Sequence, residues 1–219
     1  MEQFDQDSIL NPQQVAVILI LTLIVFFAMA PLLAFVNSSL ALLAGEIFMI
    51  LPAVLYVRQK ELRFAKTFRI NPIKVKSVAA TIILFIPIFI LTDALDRLLH
   101  QFFPMPVEWL EALTELVQFS SVFDAIVVTM AAVVVAPIAE EMLFRGVVQR
   151  SLENFRDPAM AIVMTSVFFA IVHFNPWTAI QITLLGLVLG YMTWKSGSIL
   201  PAIILHGMNN LFSLLLMNA

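Results

Sequence analysis

The chain has 219 residues, of which 61% are hydrophobic and only 12% are charged, whereas soluble domains carry roughly 25% charged residues. This composition predicts an integral membrane protein built of helices. The absence of cysteine excludes a disulfide framework, a thiolate metal site and a cysteine nucleophile. The net charge of −3 indicates little, and no basic run interleaved with aromatic residues points to a nucleic-acid partner.

The first half of the chain predicts three membrane spans and one interfacial helix. Residues 15–36 are long enough to cross about 30 Å of hydrocarbon, and they are interpreted as a retained anchor because no positive charge precedes them. A second span is predicted at about 40–57 and, after a basic loop, a third at about 78–95. Within the polar stretch 98–122, three glutamates share one helical stripe, which predicts a helix lying in the membrane interface.

The second half predicts four more spans, at about residues 123–152, 158–173, 177–194 and 199–217. The predicted fold class is therefore all-α, a polytopic transmembrane helix bundle of about seven spans, because lipid forbids unpaired backbone groups. Residues 1–120 would form a hairpin, the basic loop, the third span and the interfacial helix. Residues 121–219 would form a four-helix catalytic core within the same integral-membrane domain.

The distribution of basic residues predicts the orientation. Placing the basic loop in the cytoplasm puts eleven of the twelve Lys and Arg residues on that side. The amino terminus is then cytoplasmic and the carboxyl terminus is outside. Length and composition favour a bacterial-type plasma membrane.

Residues 136–146, with the sequence APIAEEMLFRG, depart most from this apolar background. They place Glu140, Glu141 and Arg145 in a span that is otherwise almost wholly apolar. Buried charge costs several kcal/mol unless each charge has a partner. Glu141 and Arg145 stand at i and i+4, so they would pair on one helix face.

The same spacing recurs in two later spans, as Phe169 with His173 and as His206 with Asn210. Glu140 and His173 each lie about 16 residues from the turn that joins their spans, so they would be level in an antiparallel hairpin. We therefore predict that the three polar helix faces line one wet chamber. The chamber would open toward the cytoplasm.

Three motifs follow one another in this half of the chain, EExxxR at residues 140–145, FxxxH at 169–173 and HxxxN at 206–210. In this order, the motifs resemble those of the CPBP family of intramembrane proteases, which includes the type II CAAX prenyl endopeptidases, the Abi group and bacteriocin-processing proteins. The resemblance covers roughly residues 120–217, and GSI at 197–199 also matches. Residues 1–120 carry no recognised motif.

The resemblance implies an intramembrane endopeptidase that hydrolyses a peptide bond of a membrane-associated peptide or protein, prenylated or bacteriocin-like, by means of activated water. Glu140 would be the general base, and His173 would help to hold or deprotonate the water. His206 and Asn210 would present hydrogen-bond donors to the oxyanion. The implied supporting residues are Glu141, Arg145 and Phe169.

A metal-dependent mechanism is the alternative. Two histidines and one or two glutamates can bind zinc and activate its water. The ligands would come from Glu140, Glu141, His173 and His206. Since the sequence lacks an HExxH helix, the metal-free mechanism is favoured and no cofactor is predicted.

A non-catalytic function is also open, because an immunity protein, a peptide-binding protein or a transporter would use the same polar cavity. His173 would then cap a broken helix, and His206 with Asn210 would form hydrogen bonds between helices. Glu46 is a further ionisable residue within a span, and we interpret it as a structural pairing or a pore-edge residue. Gly186 and Gly190 form a GxxxG pair, which indicates close helix packing.

Overall fold

The computed structural model describes residues 9–35 and 37–219, without the side chains of residues 30–34. Val36, which ends the first predicted span, therefore lies outside the described residues. The described chain is helical, and its helices are α1 Pro12–Ala34, α2 Ser38–Gln59, α3 Phe64–Thr67, α4 Val75–Phe102, α5 Val107–Val117, α6 Val122–Glu153, α7 Pro158–Ile171, α8 Ala179–Ser196 and α9 Leu200–Met217.

Each predicted span coincides with one helix of the structure, which confirms the all-helical architecture. Five of the described helices are long and apolar enough to cross a membrane, namely α1, α2, α4, α6 and α9. The remaining two predicted spans correspond to α7, which has 14 residues, and to α8. The count of about seven spans is therefore not confirmed. The stretch predicted as interfacial forms α5.

Local sequence explains where several helices begin and end. Asn37 and Asp157 accept hydrogen bonds from the backbone N–H groups of the first turns of α2 and α7, as side chains of helix N-caps do. Pro158 occupies the first position of α7, where a missing N–H costs nothing. Gly197 ends α8 with φ = 69°, a left-handed conformation that favours glycine.

Helix α6 departs from regular α geometry on both sides of Pro137. Residues Met130–Val135 and Met142–Gln149 are π-helical, and Ala136 N–H donates to Ala131 O in the i to i−5 pattern. Pro137 lacks an N–H donor, so it cannot continue the regular hydrogen-bond pattern of an α-helix. The hydrogen-bond pattern changes on both sides of the turn with Glu140 and Glu141, and the second π-helical stretch carries Arg145.

Helix α2 runs parallel to α6 along its length. Near their amino-terminal ends, Ser39 Oγ donates to Asp124 Oδ1 over 2.7 Å. Toward their other ends, Val57 and Val147 are buried in one hydrophobic core. This pairing brings the first half of the chain against the helix that carries Glu140.

The predicted basic loop is folded against the turn between α8 and α9. Ile199 N–H donates to Arg69 O over 3.1 Å, and Ser198 Oγ donates to Asn71 O over 2.7 Å. The Arg69 guanidinium also forms an ion pair with Glu153 at the end of α6. The loop therefore connects the two halves of the chain at the end of the molecule where α6 finishes.

Candidate active site

Glu141 forms the fully buried centre of a charged cluster. Its Oε1 accepts a hydrogen bond from Arg145 Nη1 over 2.9 Å and lies 2.9 Å from His206 Nδ1. A carboxylate only accepts, so His206 Nδ1 is the donor. The predicted pair of Glu141 and Arg145 is confirmed, and the carboxylate additionally orients the imidazole of α9.

Arg145 has two further contacts that compensate its burial. Nη2 lies 3.3 Å from Gly186 O, to which it donates, and Cζ stands 4.2 Å above the centre of the Phe169 ring. A buried guanidinium needs such partners because desolvation of an ion costs several kcal/mol. Gly186 also allows α7 and α8 to pack closely, since a Cβ there would stand 3.0 Å from Ser166 Cβ.

Glu140 is buried beside this cluster, but its contacts differ from those of Glu141. Its Oε2 lies 3.8 Å from His206 Nε2, which is beyond hydrogen-bond distance. Within the described part of the chain, Glu140 Oε2 is buried and accepts no hydrogen bond. The two neighbouring carboxylates are therefore in unequal surroundings, because Oε1 of Glu141 binds Arg145 and His206 whereas the nearest imidazole nitrogen stands 3.8 Å from Glu140, although Oε2 of each is buried without a donor.

Phe169 joins the two imidazoles. Its ring packs edge-to-face on His173 at 4.8 Å and on His206 at 5.8 Å between centroids. His173 Nδ1 lies 2.7 Å from Phe169 O, and because a carbonyl only accepts, Nδ1 carries the hydrogen. The Nε2 atom of a neutral His173 ring then holds the lone pair. The contact to a carbonyl near the end of α7 is also the capping contact that a structural histidine would make.

Asn210 lies one turn beyond His206 on α9, and it contacts the first π-helical stretch of α6. Its Nδ2 donates to Ala132 O over 2.9 Å. In the i to i−5 register, this carbonyl would receive the N–H of Pro137, which proline does not have. One amide hydrogen of Asn210 therefore compensates for the proline, and the second amide hydrogen remains for another acceptor.

The structure thus brings six of the seven predicted site residues together around Phe169 and the Glu141 carboxylate, directly or through one intervening residue. The seventh, Asn210, contacts Ala132 of α6. Among the described residues, no three His, Asp or Glu side chains are arranged to bind one metal ion. The donor set proposed for zinc therefore does not fit the observed geometry.

Two residues near this cluster were not predicted as site residues. Gln149 is fully buried, and its Nε2 donates to Gly190 O over 3.0 Å and to Glu153 Oε1 over 2.8 Å. It follows Arg145 by four residues, a spacing that would have indicated it. The second residue, Glu46, interacts electrostatically with Glu140, and its sequence signal was an ionisable group inside a span.

Comparison with known proteins gives one family match. Residues 122–212 match a family described as "Type II CAAX prenyl endopeptidase Rce1-like". No curated protein and no solved structure matched the chain. The matched segment begins with α6 and ends within α9, so it contains every residue of the charged cluster, and it supports the resemblance based on the three motifs.

Proposed function

We propose that the protein is an intramembrane endopeptidase, because residues 122–212 match the family of Rce1-like type II CAAX prenyl endopeptidases. The family supports a peptidase role. The substrate class that we propose is a membrane-associated peptide or protein, and a prenylated carboxyl terminus is the first candidate because the family is described by it.

In the proposed reaction, Glu140 removes a proton from a water molecule while the water oxygen bonds to the scissile carbonyl carbon. The unpaired acceptor of Glu140 suits this task, because a general base must accept a proton that no other donor already occupies. His173 accepts a second hydrogen bond from the same water through Nε2. The ring is held for this role by the contact of Nδ1 with Phe169 O.

The carbonyl oxygen then becomes an oxyanion, which we propose His206 and Asn210 stabilise. In its imidazolium form, His206 donates through Nδ1 to Glu141 and offers Nε2–H to the oxyanion. Asn210 offers its second amide hydrogen. When the tetrahedral intermediate collapses, the C–N bond breaks and Glu140 returns its proton to the leaving amine.

The observation that carries this proposal is that the two adjacent glutamates have different partners. Arg145 and His206 both bind Glu141, whereas Glu140 keeps a buried acceptor 3.8 Å from an imidazole nitrogen. Oε2 of Glu141 is buried without a donor as well, so the difference between the two residues is the ion pair of Glu141 with Arg145, which Glu140 does not form among the described residues. The carboxylate that no arginine binds is the one we propose as the base.

The test is hydrolysis of an internally quenched peptide that ends in a farnesylated CAAX motif, by the full chain in proteoliposomes. We expect Glu140→Gln to lower kcat by about 10²-fold or more, since the general base contributes about 10²–10⁴-fold. Thermal unfolding should stay close to that of the wild-type protein, because glutamine preserves the shape. The matched control is Glu111→Gln on exposed α5, which should leave kcat unchanged.

Undiminished turnover by Glu140→Gln would contradict the proposed base. A wild-type protein that binds the peptide in the same proteoliposomes but never cleaves it would favour the non-catalytic alternative, an immunity or binding protein. Peptide that enters sealed vesicles uncleaved would favour a transporter.

A further inference from the structure

Glu46 lies in the middle of α2, inside one of the candidate membrane spans. An ionisable group at such a position requires a partner. No motif of the sequence explains it, and the match to the protease family begins only at residue 122. The role of Glu46 is therefore inferred from the residues against which α2 packs.

Helix α2 packs against the turn of α6 that carries Glu140. The two helices are parallel, and Met49 of α2 lines the same apolar cavity of about 280 Å³ as Leu143 of α6. The segment Ala136–Glu141 is also in direct contact with α2.

In both carboxyl groups, one buried oxygen lacks a hydrogen-bond partner. In the described part of the chain, Oε2 of Glu46 and Oε2 of Glu140 are each buried without a hydrogen-bond partner. The two groups are also close enough to interact electrostatically. In an apolar environment, two neighbouring carboxyl groups do not both ionise, and one proton is held between them.

We propose that Glu46 is a positioning residue for Glu140, and that the two carboxyl groups share one proton. The inference deepens the proposed endopeptidase function and rests on it for its kinetic consequence. Glu46 carries the proton and donates it as a hydrogen bond to the Glu140 carboxylate, which keeps its negative charge on the side of His206. The shared proton fixes the rotamer of the base.

The proton count is consistent with the hydrolytic cycle. The resting pair holds one proton and one negative charge. When Glu140 takes a proton from water, the pair holds two protons and is neutral, which offsets the charge that develops on the oxyanion. When the leaving amine receives its proton, the pair returns to one proton.

The first test is infrared spectroscopy of the full chain in lipid vesicles at neutral pH, which needs no substrate. We expect the C=O stretch of a protonated carboxyl group in the wild-type spectrum. In Glu46→Gln that band should disappear, and in Glu140→Gln it should persist at a shifted position because its charged partner is gone. Glu111→Gln should match the wild type. The proposal of a shared proton is wrong if the band remains in Glu46→Gln, or if the band in Glu140→Gln is not shifted.

The second test separates positioning from structure by kinetics on the farnesylated peptide. Glu46→Leu should lower kcat by about 10-fold or more with KM nearly unchanged, because only transition-state interactions are lost. Glu46→Gln should restore kcat to within about threefold of the wild-type value, since its amide still donates to Glu140. The proposal is wrong if both variants equal Glu111→Gln, or if KM rises while kcat stays constant.

The two tests distinguish a failure of the proposed function from a failure of the shared proton. If the wild-type protein cleaves no peptide, the proposed function is in question, while the infrared spectra still decide whether Glu46 and Glu140 share a proton. If Glu46→Leu does not fold, the comparison of Glu46→Gln with Glu140→Gln by infrared spectroscopy carries the decision.

Discussion

Glu140 and Glu141 are neighbours in the chain, yet they face different partners because adjacent residues of a helix point about 100° apart. Glu141 points toward Arg145 and His206, and Glu140 points toward His206 Nε2 and α2. The charges of Glu141 and Arg145 cancel. What remains is one carboxyl group in an apolar setting, which is the situation a general base requires.

Arg145 is the residue whose loss should cost most stability. Arg145→Met would leave the Glu141 carboxylate buried with only His206 as a donor, and we expect a loss of about 3–5 kcal/mol in the free energy of unfolding. The measurement is chemical denaturation in detergent micelles. Arg97→Met is the matched control, because the Arg97 side chain is 74% exposed and exposed ion pairs contribute about 0–1 kcal/mol.

The double variant Glu141→Gln with Arg145→Met should recover part of that loss, because it removes the stranded charge together with its partner. A double variant as unstable as the sum of the two single variants would show that the pair does not interact as the structure indicates.

Among the elements, α6 determines the shape of the site. Its two π-helical stretches flank the turn with Pro137 and both glutamates. The backbone group that proline leaves without a donor, Ala132 O, is satisfied from α9 by Asn210. Helix α9 also approaches this stretch closely, since a Cβ on Gly207 would lie 2.7 Å from Val133 O.

This arrangement predicts that Pro137 and Asn210 are coupled. Asn210→Leu should destabilise the protein by about 1–3 kcal/mol, because Ala132 O is left buried without a donor. In a Pro137→Ala background the same substitution should cost less, since the alanine N–H can supply the missing bond. A cycle of unfolding free energies measures the coupling, and additive effects within about 0.5 kcal/mol would contradict it.

The helices themselves were predictable from sequence. Apolar runs and polar breaks located each span, and the i, i+4 rule predicted the contact of Glu141 with Arg145. The π-helical stretches were not predictable, because they depend on a donor from a helix some 78 residues further along the chain. The role of Glu46 likewise depends on the packing of α2 against α6, which local spacing does not contain.

At the scale of the whole molecule, the orientation in the membrane stays a prediction that cysteine labelling can test. The chain contains no cysteine, so single substitutions at exposed Lys60 and Gln101 would report without background. We expect a membrane-impermeant maleimide to label Gln101→Cys in intact cells. Lys60→Cys should react only in inside-out vesicles, because the excess of basic residues predicts a cytoplasmic loop. The reverse labelling pattern would invert the orientation.

The residues of the cluster were found from sequence because charged groups stand out against an apolar background. Their common neighbour Phe169 was also predicted, as the wall beside His173. The docking of the basic loop on residues 197–199 was not predicted, because it joins segments with no shared pattern. The distribution of basic residues predicted on which side of the membrane the loop lies. It contains no information on whether the loop is folded.

That docking also bears on how the protein is made. Asn71 and Ser198 are separated by 127 positions, so the backbone carbonyl of Asn71 is synthesised long before the Ser198 hydroxyl that donates to it. Until the last helix is inserted, the carbonyl groups of Arg69 and Asn71 can be satisfied only by water. During synthesis, the loop of the first half must therefore stay in contact with water until residues 198 and 199 can form their hydrogen bonds with it.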